Sequence, residues 1–117
     1  MSKEYQPKVA LDFDGVLHQY SGWNEGRLNG PIAGAREAVE ALTKLENQVV
    51  IFSTRDVEVI RAWLDEHGFR QRDFPPIEVT RTKPLCKVLL DDRAIRFDGR
   101  WSDDLIRALH EYKAYWE

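Results

Sequence analysis

Cysteine is nearly absent from this chain: Cys86 is the only one among 117 residues, so no internal disulfide can staple the fold. Free cysteine packs as a small apolar group, and the position of Cys86 just before an apolar run gives it a packing role. Also missing is any excess of positive charge. Seventeen basic side chains face 20 acidic ones, for a net charge of -3, so no global field draws the chain toward nucleic acid or an anionic membrane. A polyanion site therefore has to be local. No apolar run near residue 1 resembles a signal peptide or a spanning helix, which leads to the expectation of a soluble, cytoplasmic protein without a membrane partner. Repeats, low-complexity tracts and linkers are missing too, leaving one domain over residues 1–117. At this length, with 43% apolar residues, a single core buries roughly two-thirds of the unfolded surface.

What is present is an alternation of short apolar runs and amphipathic stretches. "KVALDF" (8–13) suits a strand buried on both faces, and it ends in Asp12 and Asp14, closed by Gly15. The 13 residues from His18 to Gly30 hold three glycines and no sustained period, and read as a loop or small flap. Pro31 suits the first turn of a helix over "IAGAREAVEALTKL", with Ile32, Ala35, Val39 and Leu42 on one face. "VVIFS" is a second buried strand. An amphipathic helix follows through Val57, Ile60 and Leu64, with Gly68 as its stop. After a polar turn at Pro75 and Pro76 come "IEVT" and "KVLLDD", two further strands, the latter ending in Asp91 and Asp92. "AIRFDGRW" reads as a short edge strand turned by Asp98 and Gly99. Ser102 is an N-cap, with Asp103 and Asp104 in the first turn of a last helix, "DDLIRALHEYKAYW".

Strands alternating with helices over short connections predict a three-layer α/β/α Rossmann-like parallel sheet, helices on both faces. Ligands of such sheets bind at the carboxyl ends of the strands. Asp12 and Asp14, Ser53 and Thr54, and Asp91 and Asp92 all end strands, so residues scattered in sequence are predicted to converge. Side chains two apart on a strand point the same way, which turns Asp12 and Asp14 to one crevice, and Gly15 permits a sharp departure and close backbone approach. Clustered carboxylates repel, and a hard cation with oxygen ligands is the usual remedy. Magnesium fits that description. It also neutralises phosphate oxygens, while a carboxylate can attack phosphorus to form an acyl-phosphate.

In order, "DFDGV", "VVIFS", the lysine of "TKP" and "VLLDD" resemble the four motifs of the haloacid dehalogenase-like superfamily of phosphohydrolases, over residues 8 to 97. The resemblance implies a magnesium-dependent phosphomonoester hydrolase. Asp12 matches the nucleophile and Asp14 the general acid and base, a role that needs a carboxyl of shiftable pKa. Ser53, with Thr54 as its rival, matches the hydroxyl that holds the transferring phosphoryl group. Lys83, with Lys87 as its rival at the entry end of the fourth strand, matches the charge-balancing lysine. Asp91 matches a direct metal ligand and Asp92 a direct or supporting one. Asp12 and the backbone carbonyl of Asp14 complete the metal set. Arg55 and Arg93, each just past a strand end, are candidates for substrate phosphate. His18 and Trp23 lie in the flap, where Trp23 is placed to stack on a substrate.

Asp14 separates phosphatases from dehalogenases of the resembling group, which lack a carboxylate there. A receiver domain of two-component signalling has a similar length and residue types, but its acidic pair follows the first strand and its phospho-accepting aspartate the third. Here the spaced pair comes first and the adjacent pair follows the fourth strand. The intervals between motifs hold no cap domain. The open crevice then suits a nucleotide or other small phosphomonoester, or a nucleic-acid end, and in a homo-oligomer a neighbouring subunit would supply the lid.

Overall fold

Short apolar runs become the strands. In the computed structural model, which describes residues 6–69 and 76–117, β1 (Lys8–Asp12), β2 (Gln48–Phe52), β3 (Glu78–Thr80) and β4 (Val88–Leu90) form one sheet. Every pairing is parallel and the order is β3-β2-β1-β4. The chain thus steps from β1 through β2 to β3, then returns across the sheet for β4. That reversal opens a crevice at the carboxyl ends of β1 and β4. Three helices flank the sheet, α1 (Ala35–Lys44), α2 (Val57–Glu66) and α3 (Asp103–Glu111), in the expected α/β, Rossmann-like class. No helix among the described residues is long and apolar enough to cross a membrane.

The core explains how the strand ends are aimed. Val9, Leu11, Val49, Ile51 and Val79 cluster with Ala35 and Val39 of α1 and Ile60, Trp63 and Leu64 of α2. Phe13 extends this alternation beyond β1; it is fully buried, its ring edge-on to Trp63 at 4.9 Å. Anchoring Phe13 leaves Asp12 and Asp14 out of the apolar cluster. Register does the rest. Leu11 pairs with Leu90, so Asp12 and Asp91 stand level on adjacent strands; Asp12 pairs with Phe52, so Ser53 follows one residue further on.

Several elements differ from their sequence expectation. Helix α1 starts at Ala35, not at Pro31, because Gly34 adopts a left-handed φ of 87° and the preceding residues are tied to the flap. Ile32 N–H donates to the Leu17 carbonyl, and Pro31 forms a bridge with His18. Helix α2 matches, and its N-cap is Asp56, which accepts from Glu58 and Val59 N–H groups at 2.8 and 3.4 Å. The segment "AIRFDGRW" pairs with no strand; Asp98 instead accepts from Arg100 N–H in a local turn. Ser102 caps α3 as expected, accepting from Leu105 N–H. The helix ends at Glu111 rather than Trp116, since Tyr112 turns extended (φ −61°, ψ 138°) and the aromatic residues after it bond elsewhere. Of the predicted Pro75–Pro76 turn, Pro75 lies outside the described residues.

These burial differences set the energetics. Ile60→Ala, at a fully buried position, is expected to cost about 3 kcal/mol, whereas Ile106→Ala on α3, 55% exposed in the folded chain, stays within about 0.5 kcal/mol. Urea denaturation midpoints at unchanged m would separate the two.

Candidate functional site

At the carboxyl edge of the sheet lies a cleft of about 340 Å³, within the roughly 300–1,000 Å³ range of small-molecule sites. Asp12 and Asp14 from the end of β1, Ser53, Thr54 and Arg55 from the end of β2, and Asp91, Asp92 and Arg93 from the end of β4 line it, with Tyr20, Trp23, Phe52 and Trp116. Of the expected residues, Asp12, Asp14, Trp23, Ser53, Thr54, Arg55, Asp91, Asp92 and Arg93 line this cleft, and Lys83, Lys87 and His18 do not. Lys83 is the correction: it is exposed on the connection between β3 and β4 and does not line the cleft. That connection traverses from one edge of the sheet to the other, so its middle does not have to meet the strand ends. Lys87 is also outside, at the entry of β4, where its N–H donates to the Lys8 carbonyl. The cations that do line the cleft are Arg55 and Arg93.

Asp12, Asp91 and Asp92 each offer an oxygen, all within 4.8 Å of one another. Burial, a hydrogen bond with Asp92 and the charges of Asp91 and Asp92 together push the Asp12 carboxyl up to about 8. Burial would raise Asp92 as well, but donation from Trp116 Nε1 and hydrogen bonds with Asp12 and Asp91 outweigh it and hold Asp92 below its usual value. The two neighbouring carboxyls are thus pushed in opposite directions. Asp91 is fixed by accepting from Arg93 N–H at 2.9 Å. Gly15 sits beside this group with φ 84°, and a Cβ there would run into the Asp92 carboxylate. Such an approach requires glycine.

Asp14 stands apart from the trio, its carboxylate engaged by Arg55 and His18. Arg55 Nε donates to both Asp14 oxygens, at 3.0 and 2.8 Å. His18 is almost fully buried, its ring stacked on Phe13 at 5.2 Å, and burial lowers its pKa against the opposing influence of Asp14. Its Nε2 accepts from Asn29 N–H at 2.7 Å, which leaves the proton on Nδ1 to donate to Asp14 Oδ1 at 2.8 Å. The His18–Asp14 contact is accordingly a hydrogen bond from a neutral imidazole, not an ion pair. Arg55 is only 7% exposed, and its buried Nη2 has no hydrogen-bond partner among the described residues. Ser53, also buried, accepts from Arg55 N–H through Oγ at 3.1 Å and keeps its own proton to donate; Thr54 is exposed.

Aromatic groups that the sequence did not single out complete the cleft. The expected Trp23, 60% exposed, lies over the Arg55 guanidinium at 4.7 Å. Trp116 stacks under Arg93 at 4.8 Å and meets Tyr20 edge-on at 4.7 Å. A helical period running through "EYKAYW" hid Trp116.

No family model matches the chain, and no curated protein matches it at a significant level. A solved structure described as the conserved protein coded by a locus from Bacteroides thetaiotaomicron is similar in fold. It is 19% identical, with a TM-score of 0.58, and the match covers 92% of this chain and 91% of that one. The likeness supports the α/β, Rossmann-like fold.

The raised Asp12 carboxyl carries a pH signature. A folded-state value near 8 against an ordinary 3.8 means the folded chain holds the proton more tightly, so the stabilisation is complete below about pH 4 and is lost as pH rises toward 8. Asp12→Asn, which mimics the protonated form, is therefore expected to raise the melting temperature at pH 8 in chelator and to change it little at pH 5. Thermal melts at the two pH values check this.

Proposed function

We propose that the chain is a magnesium-dependent phosphomonoester hydrolase of the haloacid dehalogenase-like type, working through an aspartyl-phosphate on Asp12. The observation that carries the reading is the convergence of Asp12, Asp14, Ser53, Asp91 and Asp92 from three strand ends in one cleft. Hard oxygen donors packed this closely suit a magnesium ion, with Asp12, Asp91 and Asp92 holding it. When bound, the ion neutralises phosphate oxygens and favours the ionised form of Asp12.

In this reading one Asp12 oxygen attacks phosphorus, the bond to the leaving oxygen breaks, and that oxygen takes a proton from Asp14. Asp14 then accepts a proton from the water that hydrolyses the acyl-phosphate, which returns both carboxylates to their starting states. Ser53 Oγ donates to a non-bridging phosphoryl oxygen. The charge balance expected of Lys83 falls to Arg55 and Arg93. Arg55 has a further part: as an acid Asp14 must carry a proton on an oxygen, and here both oxygens accept from Arg55. Movement of the guanidinium toward the phosphoryl group, where its unpartnered Nη2 finds an acceptor, clears that oxygen. His18 keeps the Asp14 carboxyl in place meanwhile. Asp14 is thus held by one neutral and one charged donor.

Phosphate release from an aryl phosphate should require added magnesium, stop in excess chelator, and fall to background in Asp12→Asn at unchanged circular dichroism. Full activity of either the chelated chain or the variant would contradict the mechanism. The leaving group meets Trp23, so a screen of nucleotides, sugar phosphates and 3′- or 5′-phosphorylated oligonucleotides is expected to favour esters with a planar ring. Trp23→Ala should raise KM for those esters several-fold and more than for alkyl phosphates, which lose only the contact of Trp23 with Arg55.

A further inference from the structure

The residues after α3 were expected to prolong that helix, and instead they return to the strand ends. Tyr112 donates its hydroxyl to the Asp92 carbonyl at 2.6 Å, Tyr115 donates to the Gly15 carbonyl at 2.7 Å, and Trp116 Nε1 donates to Asp92 Oδ2. Ala114, 3% exposed, is the buried pivot, and a turn closes the segment as Glu117 N–H donates to the Ala114 carbonyl. Three donors on five residues thus join the turn after β1 to the turn after β4. The Trp116 ring is itself held between the Arg93 guanidinium and the edge of Tyr20.

We propose that the segment 112–116 is a strap that positions the metal seat, with Trp116 holding Asp92 Oδ2 so that the carboxylate stays turned toward Asp12 and Asp91. This rests on the reading of those three aspartates as a magnesium site. The physical need is specific. Asp92 sits past the end of an edge strand, and once Asp12 and Asp91 are ionised, as a metal site requires, their repulsion would swing its carboxylate out to solvent. An indole N–H can only donate and carries no formal charge. It therefore restrains one carboxylate oxygen without competing for the cation, as an arginine or lysine at the same place would. Partners of this kind, bonded to ligands rather than to the metal, typically change affinity by about 10- to 100-fold when removed. Tyr112 fixes the backbone of the same residue. The absence of a side chain at Gly15 leaves the space in which Asp92 and Trp116 meet.

The test is calorimetric titration of the metal-free full chain with magnesium chloride, comparing the unaltered chain with Trp116→Phe, Tyr112→Phe, Asp92→Asn and the Asp92→Asn/Trp116→Phe pair. Trp116→Phe is expected to weaken magnesium binding by about tenfold or more and Tyr112→Phe by several-fold. In the Asp92→Asn background, Trp116→Phe should add little, since its effect passes through that carboxylate. Circular dichroism confirms that each variant folds, and Tyr112→Phe, which loses one hydroxyl, serves if Trp116→Phe does not. Affinities within twofold of the unaltered chain in the folded variants, or an equal loss in the Asp92→Asn background, would overturn the strap while leaving the magnesium site standing. No magnesium binding by the unaltered chain would overturn both.

Discussion

Three carboxylates packed at one end of a parallel sheet repel one another, and much of the surrounding structure serves to keep them there. Asp12 is anchored by its neighbour Phe13, which is driven into the core against Trp63. Asp91 stands beside it because Leu11 and Leu90 are in register. Asp92 is held by two donors from far along the chain. Burial and the neighbouring Asp91 and Asp92 charges push the Asp12 carboxyl well above the usual carboxylate range. Apolar burial fixes the backbone of this site, and hydrogen bonds from neutral donors fix its side chains.

A second layer of the same logic surrounds Asp14. Its partners are a buried neutral histidine, whose tautomer is set by the Asn29 amide, and a buried arginine with a nitrogen still unpartnered. One holds the carboxylate without demanding charge; the other brings a positive charge with a donor still unused. The flap from His18 to Gly30 is therefore more than an open loop, because Gln19, Asn29 and Ile32 tie its two ends together and Trp63 bonds its Asn29 carbonyl. This places Tyr20 and Trp23 over the cleft. On the proposed function, a rim of aromatic rings suits substrates with a planar portion.

Legibility in the sequence followed the range of the interactions. The four strands and the second helix could be read because apolar runs, Gly68 and the period of Val57, Ile60 and Leu64 are local signals. Asp12, Asp14, Ser53, Asp91 and Asp92 could be read because each ends such a run. The first helix was extended too far because local period cannot register the bridge between Pro31 and His18. Lys83 lies outside the cleft because a lysine before a proline on a connecting loop says nothing about where a traverse across the sheet carries it. The expected edge strand failed for a related reason: β-pattern is not enough without a partner to complete the ladder.

Alternation and burial are written residue by residue and parallel strands all point one way, so the class of fold and the sheet edge where the carboxylates gather follow from local pattern. Which cations face the carboxylates, which proton of His18 is donated, and the return of Tyr112, Tyr115 and Trp116 to Gly15 and Asp92 follow from long-range packing. Those contacts span up to 100 residues. Their donors carry no local pattern, and their energy appears only once the strand ends have been brought together.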